Sequence, residues 1–187
     1  MAKVYEFLAD GFEDIEALAP LDILKRGGVE VVTVSVMGRK DVVSAHGVTM
    51  MVDTLIDECA FGDADLLFLP GGMPGATNLN ECEALRKALQ EHHENGRLVA
   101  AICAAPLVLG GLGMLSGRNA TCYPGFENTL TGANYTAELV TVDGNIVTGE
   151  GPAAALPFGY QLLRMLKNDT IAQEVAAGMR YLHLMGE

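Results

Sequence analysis

The sequence predicts an α/β fold with a mostly parallel sheet covered by helices on both faces. Two observations carry this. Residues 4–8, 65–69 and 98–102 are short and largely apolar, as strands buried on both sides are. They alternate with longer segments of helical periodicity, the βαβ order from which parallel sheets are built. Ligands of such sheets bind beyond the carboxyl ends of the strands. Residues 10–16, 70–75 and 103–106, which all follow strands, are therefore expected to meet on one edge.

Residues 4–8 read as the first strand, followed by an acidic turn and a helix over about residues 13–26 that closes on Gly27-Gly28. Pro20 falls inside this helix, where its missing N–H predicts a kink or a restart. Residues 30–36 are dense in Val and Thr, as a buried strand is, and Val42-Val43 with residues 48–52 read as short strands around His46-Gly47. Residues 65–69 run directly into the turn Pro70-Gly71-Gly72-Met73-Pro74-Gly75. The next helix has Asn80 as its cap, Glu83 at the capping-box position, Leu85, Ala88 and Leu89 on one face, and a stop at Asn95-Gly96. Residues 98–102 form another buried strand, and Cys103 stands where it gives way to a helix begun by Ala104-Ala105-Pro106. Residues 139–142 and 146–148 flank Asp143-Gly144 as a hairpin. Gly149-Glu150-Gly151-Pro152 then leads into a helix to about Lys167, and a last helix covers about residues 169–184. With 187 residues, 50% of them hydrophobic, and no repeat or linker, the expectation is one domain over residues 1–187.

Charge and composition exclude several classes of function. Twelve basic against 24 acidic residues give a formal charge of -12, which repels phosphate backbones and anionic membrane surfaces. Nucleic acid and membrane are not expected partners. No apolar run reaches the roughly 20 residues of a membrane-spanning helix, and no secretion signal is visible, so a cytoplasmic protein is expected. Cys59, Cys82, Cys103 and Cys122 are scattered, without the spacing of a disulfide framework or a metal knuckle.

At a strand-to-helix turn, the thiol of Cys103 would lie near free backbone N–H groups, and its pKa is expected to fall. The alternative is a small buried hydrophobe. Gly71-Gly72 would let the backbone approach a ligand and offer N–H groups to a developing oxyanion; a tight turn would need the same residues. Glu13, Asp14 and Glu16 suit the first turn of a helix on dipole grounds alone. One of them could face Cys103 and exchange protons near neutral pH, and the residues themselves do not choose which. His46, before Gly47, is a candidate for lining the same pocket or for a structural role. His92 and His93 fit the end of a charged helix, and no histidine cluster predicts a metal site. Cys59, Cys82 and Cys122 read as packing thiols.

The stretch LVAAICAAP at residues 98–106 resembles the nucleophile elbow of the ThiJ/PfpI superfamily, specifically its DJ-one branch. The resemblance extends through DGFEDIEAL at 10–18, LKRGG at 24–28, FLPGGMPG at 68–75, GMLSGRNAT at 113–121 and GEGPAAA at 149–155. It implies a flavodoxin-like, doubly wound fold related to class I glutamine amidotransferases, and a homodimer. It makes Cys103 the reactive nucleophile and Glu16 the carboxyl bonded to it. Gly71, Gly72 and Ala104 would supply backbone N–H groups, while Gly151 and Pro152 would border the pocket. Two positions depart from the wider pattern. Ala104 stands where protease-like members carry His, removing the general base of a hydrolytic dyad. Tyr123 stands where several DJ-one-type proteins place a His, and offers a hydroxyl to the pocket instead.

The function this resemblance implies is a cysteine-dependent enzyme acting on small dicarbonyls or their adducts, a glutathione-independent glyoxalase or a deglycase. Its partner would be a small-molecule aldehyde or a glycated adduct, with no cofactor and no metal. The rival is an oxidative-stress sensor or holdase chaperone in which Cys103 is oxidised to a sulfinic acid. An amidase or peptidase-like hydrolase ranks lower, because the only later histidine, His183, has no Glu two residues on. The thiazole-monophosphate biosynthesis associated with some members finds no thiazole or phosphate site among these residues.

Overall fold

The computed structural model describes residues 1–186. Strand β1 (Lys3–Leu8) leads into helix α1 (Asp14–Arg26), strand β2 (Glu30–Ser35), a hairpin of β3 (Asp41–Val43) and β4 (Thr49–Met51), and the short β5 (Thr54–Leu55). Strand β6 (Leu66–Leu69) is followed by α2 (Gly75–Glu81), α3 (Glu83–Glu94), β7 (Leu98–Ile102) and α4 (Pro106–Gly111). After the small parallel pair β8 (Asn119–Ala120) and β9 (Asn134–Tyr135) come β10 (Val140–Asp143), β11 (Ile146–Gly149), α5 (Ala155–Leu166), α6 (Asp169–Gly178) and α7 (Tyr181–Leu184).

The main sheet has seven strands in the order β10-β11-β7-β6-β1-β2-β5. All its pairings are parallel except the β10–β11 hairpin at one edge. The chain moves from β1 toward β5 on one side, then returns to lay β6 on the other. This is a doubly wound, flavodoxin-like sheet, and its switch point lies between β1 and β6. Alternation along the strands supplies both cores. Tyr5, Phe7, Leu67, Leu69, Val99 and Ala101 pack against Leu79, Leu85, Leu89 and Val108 of α2, α3 and α4. Val4, Leu66, Phe68, Ala100, Ile102 and Val147 pack against Ile23, Leu24, Phe158, Leu162 and Leu163 of α1 and α5. Among the described residues, no helix is long and apolar enough to cross a membrane.

Three elements differ from expectation. Helix α1 continues through Pro20; α5 lies directly against it, with Gly159 beside Pro20 and Ile23, so tertiary packing outweighs the missing hydrogen bond. Asn80 caps nothing. Helix α2 already spans it, α3 starts after Cys82, and the Asn80 side chain accepts from Arg86 at 2.8 Å. The last helix stops at Gly178, because Arg180 takes a left-handed conformation with φ 64° and starts the short α7.

Candidate active site

Cys103 follows the last residue of β7 with φ 64°, a left-handed conformation uncommon outside glycine. Two backbone bonds hold it there: its N–H donates to Gly149 C=O at the end of β11, and its C=O accepts from Tyr123 N–H, both at 2.9 Å. Such a turn lifts the side chain out of the strand and over the sheet edge. The residue is 8% exposed, and the backbone N–H groups of Gly72 and Ala104 both act on its sulfur.

Glu16 reaches this sulfur from the first turn of α1. Glu13 caps that helix, its Oε2 accepting from Glu16 N–H at 2.8 Å, and so fixes the backbone from which Glu16 projects. The Glu16 side chain is fully buried; Oε2 accepts from Gly71 N–H at 2.9 Å, while Oε1 meets no donor in good hydrogen-bond geometry. Gly71 in turn accepts from Glu13 N–H at 2.9 Å through its own C=O. Here only glycine fits. A methyl group on residue 71 would sit 2.6 Å from Glu16 Oε2 and 2.7 Å from Cys103 Cβ, which measures how closely the acid and the cysteine converge. Gly72, at φ 91°, presses against the backbone of Gly11 and Glu13, bringing the loops after β1 and β6 together at the switch point.

The electrostatics correct one expectation. Burial first of all, with the Glu13 charge adding to it, pushes Glu16 up to about 7 against the opposing pull of the Cys103 thiol and Gly71 N–H. The Cys103 thiol does not fall. Burial and then the neighbouring Glu16 carboxylate raise it to about 12, outweighing the amides of Gly72 and Ala104. The helix behind the turn is short and begins with a proline, which has no N–H to offer. A thiolate therefore gains its footing only while Glu16 keeps its proton, because the repulsion between the two charges then vanishes. The two ionisations are coupled, and the groups act as a pair.

The other residues singled out in the sequence fall in different places. Tyr123, Gly151 and Pro152 line one cavity of about 220 Å³, together with Pro124 and Glu150. His46 lies elsewhere. It sits between β3 and β4, exposed, with Nδ1 2.6 Å from Asp14 Oδ2, and that carboxylate raises its pKa. Ligating atoms of His46, Asp14 and Glu13 come within 4.8 Å of one another, a grouping that positions 32 residues apart do not announce. The residues that sequence reasoning passed over are Glu13 as the cap behind Glu16, Gly149 as the acceptor that holds Cys103, and Glu150 in the cavity wall. Only the capping role has a local signature, an acid three residues ahead of Glu16.

The sequence profile of the DJ-1/PfpI family matches residues 2–165. The chain belongs to the DJ-1/PfpI family, in its DJ-1 branch. Protein DJ-1 homolog B of Arabidopsis thaliana is 40% identical over 176 residues, which are 93% of this chain and 40% of that protein. The chain thus spans less than half the length of this plant relative. A deglycase of Pyrococcus abyssi is 35% identical over 170 residues, covering 88% of this chain and 99% of its own. Among solved structures, oxidized Toxoplasma gondii DJ-1 superposes with a TM-score of 0.92 at 37% identity, covering 96% of this chain and 98% of that one.

Proposed function

We propose that this protein is a cofactor-independent enzyme that isomerises small α-oxoaldehydes, or releases their adducts, through Cys103 and Glu16. The observation that carries this reading is a buried carboxyl, raised to about 7, packed beside the sulfur. Such a group gives and takes protons at neutral pH. With methylglyoxal, Cys103 sulfur bonds to the aldehyde carbon and the carbonyl oxygen takes a proton, forming a hemithioacetal. Glu16 as carboxylate removes the C1 proton to give an enediol, and returns it to C2. The resulting thioester is hydrolysed by one water, which releases lactate and restores the thiol; glyoxal would give glycolate. Gly72 and Ala104 N–H groups are suited to support charge on sulfur or on the adjoining oxygen.

The test is methylglyoxal consumption with lactate detection, glutathione being absent. Wild-type protein is expected to turn over, Cys103→Ala to lose activity entirely, and Glu16→Gln to lose at least about a hundredfold in kcat, the usual scale for a positioned acid–base group. Wild-type protein that yields no lactate overturns the isomerase reading.

A redox sensor is the second reading, favoured by the amides around Cys103 and by a Glu16 that can remain neutral beside an oxidised sulfur. The Toxoplasma relative was solved in an oxidized form. Under this reading, peroxide adds two oxygen atoms to Cys103 stoichiometrically, giving a sulfinate seen as a mass increase on that residue, and no dicarbonyl is turned over. Hydrolase chemistry has less support, because Ala104 offers no base beside the sulfur.

A further inference from the structure

The cavity of about 220 Å³ adjoins both of the backbone bonds that pin Cys103: Tyr123, whose N–H donates to Cys103 C=O, is one of its lining residues, and Glu150, next to the Gly149 that accepts Cys103 N–H, is another. A whole small-molecule site occupies roughly 300–1,000 Å³, so this space suits one substituent attached to a group reacting at the sulfur. Its lining is selective in charge. It contains an aromatic ring, two prolines and a carboxylate, and no Lys, Arg or His. The ring of Tyr123 is held against Gly151, where an added methyl would lie 3.1 Å from Cδ2. None of the ion pairs among the described residues involves Glu150. The nearby Glu127 carboxylate, by contrast, is already engaged by Gly125 N–H, at 2.9 and 3.0 Å. A carboxylate outside any ion pair and an aromatic ring lining one cavity are the combination that receives a guanidinium or an alkylammonium group: the carboxylate meets its N–H donors and the ring face its charge.

We infer that this cavity is a cation subsite, with Glu150 and Tyr123 as its specificity-determining residues. The preferred carbonyl compounds then carry a guanidinium or alkylammonium substituent, and phosphorylated or carboxylated ones are disfavoured. The identity of the reacting group rests on the proposed dicarbonyl chemistry; the preference for positive charge does not.

The experiment uses two thiol-modifying methanethiosulfonates, one ending in an ethylammonium and the other in an ethylsulfonate. The rate of Cys103 modification by each is read by mass-spectrometric mapping of the four cysteines. In the wild type the cationic reagent is expected to react faster with Cys103. Glu150→Gln should lower the cation-to-anion rate ratio roughly three- to tenfold at low salt, and Glu150→Lys should invert it. Asp57→Asn removes the same charge just beyond β5, at the opposite edge of the sheet, and should leave the ratio unchanged. A wild-type ratio near unity, or equal effects of Glu150→Gln and Asp57→Asn, overturns the subsite. Methylglyoxal inertness with the charge preference intact sinks the isomerase reading alone, whereas turnover without charge preference sinks the subsite alone.

Discussion

At position 71 any side chain would strike the Glu16 carboxylate and Cys103 together, and both neighbours are buried. Gly71→Ala is accordingly expected to destabilise the protein by about 1–3 kcal/mol, the cost of overpacking a filled site, and to slow Cys103 reactions at least about tenfold; urea unfolding and alkylation rates check the two effects separately. Glu16 sets a pH dependence of stability. Its folded pKa of about 7 lies above the ordinary 4.5, so the folded chain holds this proton more tightly than the unfolded one. That advantage is complete below about pH 4.5 and is lost as pH rises through about 7, on the order of 3 kcal/mol across the window. Glu16→Gln should flatten this slope in urea midpoints measured from pH 4.5 to 8, and an unchanged slope would assign it to other groups. Cys103 was legible in the sequence because an apolar strand ends on it just before a proline-started helix. Its left-handed backbone was not, since that conformation is imposed by Gly149 and Tyr123 from distant parts of the chain.

Strand β1, at the centre of the sheet, carries a liability at Glu6. This carboxyl is fully buried, neither oxygen has a hydrogen-bond partner, and burial raises its pKa well above the usual range, with Lys25 only partly opposing. It is held neutral, and its polar atoms lose water without replacement. Glu6→Leu is expected to stabilise the protein by about 1–3 kcal/mol at neutral pH, and by more in alkali, where ionisation of Glu6 opposes folding; thermal unfolding at pH 7 and 9 checks both. Helix α2 shows why element boundaries were harder to read than element identities. Its buried Ala76 and Leu79 are one helical turn apart, yet they lie in a segment whose prolines and glycines spell a loop. The capping pattern at Asn80 and Glu83 is an accident of composition, because packing against the sheet had already placed Asn80 inside α2.

For the molecule as a whole, the alternation of strands and helices was readable because each core face has its own periodic signature. What covers the remaining apolar surface was not. Ile15 and Leu18 on α1, and Met51 on the neighbouring hairpin, are 53%, 44% and 71% exposed, and exposed apolar side chains on adjacent elements suit an interaction face. A homodimer through this face is expected from light scattering of the purified protein, with Leu18→Glu or Met51→Glu shifting it to monomer; a wild-type monomer at micromolar concentration would refute it. The Cys103 surroundings draw on residues 16, 71, 72, 103, 123 and 149, on both sides of the switch point. No contiguous fragment of the chain holds more than a part of them. During refolding, the distinctive chemistry of this sulfur should consequently emerge late, in step with closure of the entire sheet, so that Cys103 serves as a built-in clock for completion of the fold.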